Sequence, residues 1–379
     1  MEQNSEVKEH PFYIKATVIL FGLILFVFIL KILSDVLVPL AMAALVAILL
    51  NPLNNKLQHK LPRVLSILIT MLIAVIVIGG ILYFLSTQIY SFSKSIPLLQ
   101  QKFAILLTDL QLWVQLHFGL SIMNQVQVLK SAINNSQRLL TSTLSTLLGT
   151  IGIIVLIPIY VFLLLFYKPL ILDFLFQVFL EQNSLRVAEI LTQTKSAIQS
   201  YMVGLLIETA IVCILNSVAL LIIGVPYAIV IGVIGGVLNI LPYLGGIIAI
   251  LLPVLAATIN TTGFSTQLII IAAYLLIQFI DNNILVPRIV SSKVRINALV
   301  SLIIILLGGA LWGLFGMFLS IPFIAVLKII FDRIDEMKPW GRLLGDEVPI
   351  EHAGVVWQKR WNRIIRKVRK GKEDTNYNK

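Results

Sequence analysis

The chain has 379 residues, of which 58% are hydrophobic and only 12% are charged, and its mean hydropathy is +0.97. Soluble domains carry about twice that fraction of charged residues, so the composition excludes an ordinary soluble protein and predicts an integral membrane protein. The single cysteine, Cys213, excludes an intrachain disulfide.

Much of the net charge of +11 comes from one end of the chain. Thirteen of the 29 lysines and arginines lie between Lys328 and Lys379, after the last apolar run. A cytoplasmic tail explains this asymmetry without a nucleic-acid partner. Tryptophans and aliphatic residues among the basic side chains of 357–370 predict an amphipathic helix on an anionic inner leaflet. Simple retention of the tail in the cytoplasm explains the charge equally well.

Apolar runs of membrane-spanning length follow one another along the chain. We therefore predict an all-α polytopic membrane protein with about eight membrane segments. Six runs are uninterrupted and two are broken: 12–33, 36–52, 64–86, 146–167, 201–223 and 267–286, with 227–260 and 297–329 as the broken pair. The predicted divisions are N-terminal membrane helices (1–86), an extracytoplasmic segment (87–145), a transport core (146–330) and a basic cytoplasmic tail (331–379).

The extracytoplasmic segment has mixed polar and apolar character. From Leu99 to Trp113, apolar residues recur at spacings of four and three, which places them on one face of a helix. One interpretation is a helix that rests on the membrane or on its own domain. The other is a helical arm that joins subunits through this seam.

The two broken runs are the most informative feature. The first is interrupted at 239–246, which contains Pro242. The second is interrupted at 308–316, which contains four glycines, Gly313 among them, and one alanine. Such breaks leave backbone N–H and C=O groups without hydrogen-bond partners in the helix. At membrane depth such groups are tolerated only inside protein or beside a water-filled cavity. Two interrupted segments in corresponding halves indicate the binding site of a secondary transporter. The alternative is one long tilted helix with a kink.

The distribution of basic residues predicts the topology. If the N-terminus, three basic connections and the tail are inside, 24 lysines and arginines are cytoplasmic and four are outside. Each broken run then enters and leaves by one face, 227–260 from outside and 297–329 from inside. The two hairpins would therefore form an inverted repeat.

Enzyme signatures are missing from the sequence. It contains no G-x-x-x-x-G-K-[ST] and no G-x-S-x-G, and its four histidines lack metal-ligand spacing. We therefore predict no enzymatic activity, no catalytic residue, no cofactor and no metal.

Two carboxylates lie within apolar runs, where ionisable groups are functional candidates. Glu208 is about 10 Å into its predicted span, and Asp281 stands among amides near the end of another. For Asp281 the alternatives are an ion pair with Arg288, which follows Pro287, and a role in transport.

The stretch from about 200 to 328 resembles the autoinducer-2 exporter family, also called the PerM-type permeases. The resemblance rests on four blocks in the same order and spacing, and each block alone is a weak motif. They are Gly224–Tyr227, Leu238–Gly246, Asp281–Arg288 and Gly308–Met317, the last followed by Pro322 and Lys328. Arg295–Ala298 departs from the family pattern. The resemblance implies a multi-helix inner-membrane transporter that forms a homo-oligomer.

These observations lead to a predicted pathway at the hairpin tips. Amide side chains would supply hydrogen bonds, aromatic rings would form flat walls, and Asp281 or Glu208 would couple transport to an ion. The predicted residues are Glu208, Asn239, Pro242, Tyr243, Gly245, Gly246, Gln278, Asp281, Asn282, Asn283, Pro287, Arg288, Gly309, Trp312, Gly313 and Gly316.

Three functional hypotheses follow. The first is a secondary transporter that exports a small polar organic molecule, such as a furanone signal. The second is a monovalent cation/proton antiporter. The third is a membrane scaffold. The breaks at membrane depth argue against it, because a scaffold has no need for them.

The topology can be tested by single-cysteine labelling at Thr262 and Ser292 in a Cys213→Ala background. We expect Thr262 to react from outside and Ser292 from inside, because of the asymmetry in basic residues. Labelling of both positions from one side would remove the inverted repeat.

Overall fold

The computed structural model describes residues 11–93, 155–178, 184–240, 245–257, 265–290 and 296–346, with isolated positions among 108–117 and 358–363. These residues form helices and the turns between them, with no strand in the described part of the chain, which confirms the predicted all-α class. Most of the predicted segment 87–145 and most of the tail beyond 346 lie outside the described residues.

Ten helices are named here in chain order. They are α1 (Phe12–Ile32), α2 (Ser34–Gln58), α3 (Arg63–Ser93), α4 (Val155–Val178), α5 (Ser184–Ile223), α6 (Ala228–Leu238), α7 (Gly245–Ala257), α8 (Ser265–Ile280) with a π-helical extension (Asp281–Val290), α9 (Ala298–Arg333) and α10 (Lys338–Leu344).

Six of these elements are long and apolar enough to cross a membrane: α2, α3, α4, α5, α8 with its extension, and α9. Shorter apolar stretches occur in α1 and α6. Side chains along α1 and α3 are largely exposed although they are apolar, as expected of surfaces that face lipid. The protein is therefore a multi-pass membrane protein, and the count of about eight segments remains a prediction.

Helix α5 is the central element. Its 40 residues give a length of about 60 Å, roughly twice the hydrocarbon thickness of a bilayer. Helices α2, α6, α8, α9 and the π-helical extension all pack against it.

Buried apolar side chains form three clusters. One joins the end of α5 to α6, α7 and α8; a second joins the first half of α5 to α2 and α9; a third joins α2, α3 and α4. The two broken runs thus pack against different parts of the same helix, α5.

The first broken run, α6 and α7, is a hairpin. A tight turn at Gly224–Tyr227 reverses the chain after α5, with Tyr227 in the left-handed region at φ 58°. After α6, the Gly245 backbone lies against the carbonyl of Leu238, and Gly235 faces Ala249 on the opposite arm. Arms of 11 and 13 residues are about 17 and 20 Å long, too short to cross about 30 Å of hydrocarbon. Over the described residues, each arm of this hairpin is therefore shorter than a membrane crossing.

Glycines bring α6 into contact with α5. A Cβ atom on Gly232 would lie 2.5 Å from the Ser217 nitrogen, and one on Gly236 would lie 2.7 Å from the Cys213 nitrogen. The spacing Gly232-xxx-Gly236 by itself favours close packing between the two arms of a hairpin. The structure instead uses this pair to press α6 onto α5, while Gly235 faces the other arm.

The second broken run, α9, also folds back on itself. Trp312 and Gly313 leave the helical conformation, and Gly313 has φ 61° and ψ −140°, which favours glycine. The Ser320 hydroxyl donates to the Ile304 carbonyl at 2.9 Å, and Gly308 touches Gly316 across the two arms. The single tilted helix that the sequence leaves open is therefore not the structure of this run.

Ion pairs join the start of α5 to the end of α9. Arg186 lies 3.7 Å from Asp335, and Glu189 pairs with Arg333. Because these side chains are substantially exposed, each pair contributes little to stability. They mark the end of the molecule opposite to the Gly224–Tyr227 turn.

The glycine contact between α5 and α6 can be tested by substitution. Gly236→Leu should lower the stability of the detergent-solubilised protein by about 1–3 kcal/mol or prevent folding, because the side chain has no room. Gly80→Leu is the matched control, since nothing lies within 4 Å of a Cβ there. Equal thermal denaturation of the two variants would contradict the close contact.

Candidate functional site

Two buried carboxylates define the site. Glu208, in the middle of α5, and Asp281, where α8 passes into its π-helical extension, are each 2% exposed. Neither takes part in an ion pair among the described residues. Two uncompensated charges in an apolar environment are unfavourable, so this pair requires a proton or another cation.

Asn239 bridges the two carboxylates. Its Nδ2 atom donates to Glu208 Oε1 at 3.1 Å and to Asp281 Oδ2 at 2.8 Å. Asn239 lies directly after α6, so the bridge places the tip of the first hairpin between α5 and α8. Both amide hydrogens of this side chain are used to hold acidic groups.

Gln278 lies on the other side of Asp281. Its Nε2 atom is 3.5 Å from Asp281 Oδ2 and 3.3 Å from Asn282 Oδ1, so both hydrogen bonds are long. Gly246, at the start of α7, lies against the Gln278 side chain, where a Cβ atom would collide with Oε1. The glycine therefore lets the second arm of the hairpin approach the amide closely.

The Asp281 carboxylate keeps one oxygen without a partner. Oδ1 is buried and has no hydrogen bond in the described part of the protein. Asp281 also begins a ten-residue π-helical segment that contains Pro287. Wide helical turns of this kind occur frequently at functional sites.

The site lies deep in the predicted membrane region. Glu208 is 15 residues before the end of α5 and Asp281 is 16 residues after the start of α8, so they lie about 22 and 24 Å from those helix ends. These two ends flank the base of the first hairpin. The two carboxylates are thus at a similar depth, as the hydrogen bonds through Asn239 require.

The structure separates three predicted residues from this cluster. Asn283 is exposed and donates to the Phe279 carbonyl of its own helix at 2.8 Å. Pro287 and Arg288 are exposed on the π-helical extension. Asp281 bonds to Asn239 and Gln278 and forms no ion pair with Arg288, so the ion-pair interpretation of the sequence has no support in the described structure.

The second hairpin lies elsewhere. The Trp312 indole N–H donates to the Leu30 carbonyl at 3.0 Å, at the junction of α1 and α2. The Trp312 ring packs in the cluster around Tyr201 and Met202, six or more residues before Glu208 on α5. Gly309 faces Met317, and Gly316 contacts Gly308, so both serve the packing of the arms. Pro242 and Tyr243 lie outside the described residues.

A second set of buried polar groups was not predicted from the sequence. Thr209 and Asn216 on α5 and Tyr274 on α8 are buried and each has a polar atom with no partner among the described residues. Their spacing in the sequence could have indicated them, since residues seven or eight apart lie on the same face of a helix. Tyr274 precedes Asp281 by seven residues, and Asn216 follows Glu208 by eight.

Comparison with known proteins identifies the family of this chain. Residues 19–336 match the AI-2E family transporter profile. The chain belongs to the AI-2E transporter family. The four blocks that carried the resemblance in the sequence all fall within this match.

Three curated relatives show the degree of similarity. The AI-2 transport protein TqsA of Escherichia coli K12 is 32% identical over 216 residues, which is 56% of this chain and 61% of TqsA. PerM of the same organism is 27% identical over 192 residues, covering 50% and 54%. YrrI of Bacillus subtilis is 29% identical over 153 residues, covering 40% and 43%. The chain spans about half the length of the curated relatives it matches.

The Asn239 bridge leads to a stability prediction. Asn239→Leu should destabilise the protein by about 1–3 kcal/mol, because two buried carboxylates lose their donor. Adding Asp281→Asn should recover part of the lost stability, because a neutral amide without a partner costs less free energy to bury than a carboxylate. Thermal denaturation in detergent measures both effects.

Asn283→Ala is the control for this cycle, since that amide is exposed and bonds within its own helix. Additive effects of Asn239→Leu and Asp281→Asn would show that the two side chains do not interact.

Proposed function

We propose that this protein is a secondary transporter in which the tip of the first hairpin forms the transport site and the Glu208–Asp281 pair couples transport to a cation. The observation that carries the proposal is the Asn239 bridge between two carboxylates that have no basic partner in the described structure. A purely structural core would replace such a cluster with apolar side chains, which cost less to bury.

The arrangement supports an exchange mechanism. When one proton or one monovalent cation occupies the carboxylate pair, the pair keeps a single negative charge, which the two N–H groups of Asn239 help to hold. When the cation leaves, the pair carries two negative charges and must meet water or a polar substrate. The hairpin tip, which carries Asn239 and Gly246, is the element whose position depends on this occupancy.

A small polar organic molecule is the proposed substrate. Gln278 and Asn282 add two amide side chains next to the carboxylates, and their mutual hydrogen bond is long enough to be exchanged for one to a ligand. Export of a furanone signal is the specific form of this hypothesis. The name of TqsA, an AI-2 transport protein, is consistent with it.

Monovalent cation/proton antiport is the second candidate. Two buried carboxylates without a basic partner favour it, because the pair itself could bind the transported ion. In that case the amides would shape the cation site rather than bind an organic molecule.

The proposed setting is the bacterial cell membrane, with both termini cytoplasmic and the chain in a homo-oligomer. The paired charges of Arg186, Glu189, Arg333 and Asp335 lie at one end of α5 and α9, which the basic residues predict to be the cytoplasmic end. The anionic inner leaflet is the proposed partner of the basic tail.

Proteoliposomes with trapped pyranine provide the test. Gradients of Na⁺, K⁺ or Li⁺ would be imposed and the lumenal pH recorded, and uptake of the furanone signal would be measured with and without a pH gradient. Glu208→Gln and Asp281→Asn should each lower the ion-coupled rate by about tenfold or more, because they remove the charge that exchanges.

Glu189→Gln is the matched control on the same helix, since Glu189 is exposed and pairs with Arg333. It should keep the wild-type rate. A full gradient-driven response in both site variants would refute coupling through this pair. Proton movement driven by a cation alone would select the antiporter, and uptake of the furanone driven by a pH gradient would select the exporter.

A further inference from the structure

Three basic side chains from α3, α4 and α5 come together away from the carboxylate pair. They are Arg63, the first residue of α3, Lys168 on α4 and Lys195 on α5. The charges of Lys195 and Arg63 both act on the Lys168 ammonium, and both repel it. None of the three forms an ion pair among the described residues. Three like charges without an acidic partner make this place favourable for an anion.

Polar contacts hold two of these side chains in position. Lys168 Nζ donates to Oδ1 of Asn51, a buried residue of α2, at 3.0 Å. Arg63 Nη2 donates to the carbonyls of Leu165, at 3.3 Å, and Phe166, and its guanidinium carbon lies 5.2 Å from the centre of the Phe166 ring.

These contacts use only part of the donor capacity. An ammonium has three N–H groups and a guanidinium has five. In the described structure, Lys168 uses one donor, and Arg63 uses Nη2 but neither Nε nor Nη1. Both side chains are therefore positioned and still have N–H groups for a ligand.

The cluster lies at the edge of the predicted membrane region. Arg63 contacts α4 at 165–166, where the apolar run 146–167 ends, and Lys195 precedes the apolar run of α5 by six residues. The basic residues predict that these ends are cytoplasmic. On the membrane side of the cluster, apolar side chains are exposed. They include Val64 and Leu68 on α3, and Ile159 and Leu163 on α4.

The chemistry of this surface fits a phospholipid. Lysine and arginine offer donors and positive charge but no acceptor, and the guanidinium fork matches phosphate oxygens. A small soluble anion would use the basic groups alone. A phospholipid would also cover the exposed apolar side chains with its acyl chains. Basic pockets between membrane helices on the cytoplasmic side are known to bind anionic lipid head groups.

We propose that Arg63, Lys168 and Lys195 bind the phosphate group of an anionic phospholipid in the cytoplasmic leaflet. The acyl chains of this lipid lie against the exposed apolar side chains of α3 and α4. Lys195 precedes Glu208 by 13 residues on α5, about 20 Å along the helix, so the lipid site is separate from the carboxylate pair. It does not depend on the proposed transport function.

Native mass spectrometry tests the lipid site. The full chain in detergent would be mixed with equal amounts of phosphatidylglycerol and phosphatidylcholine that have the same acyl chains. We expect the wild type to retain phosphatidylglycerol in preference. Lys168→Gln and Lys195→Gln should each lower the ratio of phosphatidylglycerol to phosphatidylcholine adducts by about fivefold, because each removes one basic contact with the anionic lipid.

Lys60→Gln is the matched control. It removes the same charge from the exposed connection between α2 and α3, and Lys60 is not one of the charges that act on Lys168. This variant should keep the wild-type ratio. An equal loss in Lys60→Gln and in the site variants would show general attraction to a basic surface and would overturn the site.

Two further results would overturn the proposal. One is a wild type that retains both lipids equally, and the other is an unchanged ratio in both Lys168→Gln and Lys195→Gln. Lys168→Gln also removes the bond to Asn51 and could lower stability. Lys195 is exposed and forms no ion pair in the described structure, so Lys195→Gln guards against a loss of folding. Size-exclusion chromatography would report the folding of each variant.

Thermal denaturation in detergent distinguishes a lipid from a free anion. Phosphatidylglycerol should raise the midpoint of denaturation of the wild type, because a ligand that binds only the folded state stabilises it. Lys195→Gln should reduce this rise. Inorganic phosphate at the same concentration should have no such effect. An equal rise with inorganic phosphate would overturn the lipid site in favour of a site for soluble anions.

Discussion

The two hydrogen bonds from Asn239 are the interaction on which the core depends. They join α5, the first hairpin and α8 at one point, through acidic groups that apolar packing alone could not hold. Charged groups buried in a membrane protein are costly unless they are compensated, so this cluster constrains the position of all three elements. Any movement of the hairpin tip must break one of these bonds or carry a carboxylate with it.

The two hairpins use glycine for different purposes. In the first, glycines lie along α6 and bring the backbone of one arm against the long central helix at Cys213 and Ser217. In the second, Gly308 and Gly316 bring the two arms of α9 against each other, and Gly313 forms the reversal itself. Small residues let helices approach closely in lipid, where no hydrophobic force drives their association.

The second hairpin is anchored away from the carboxylates. Its Trp312 binds the Leu30 carbonyl at the α1–α2 junction and packs with apolar residues of α5. The first half of α5 therefore carries an apolar contact with α9, and the second half carries the polar contact with α6 and α8. A motion of α5 would affect both hairpins, because both pack against it.

Sequence alone determined the class of protein, the helices, the two breaks and the identity of the acidic and amide residues. These follow from composition, from the length of apolar runs and from the rarity of polar residues within them, which are all local properties. Both predicted ends of α1 and the predicted starts of α3 and α8 agree with the structure within a few residues. Helix α3 extends beyond the end of its apolar run, and α5 begins well before its own.

Tertiary structure decided which of those residues meet. The Asn239 contacts join positions 31 and 42 residues apart, and the Trp312 contact joins positions 282 apart, distances at which helical periodicity carries no information. Gln278 faces the cluster while Asn283, five residues later, bonds to its own helix, and the difference follows from the packing of α7 against α8. Asn216 of α5 and Tyr274 of α8 both lie against Gly235 of a third helix, and that neighbour is set by how the hairpin folds onto α5.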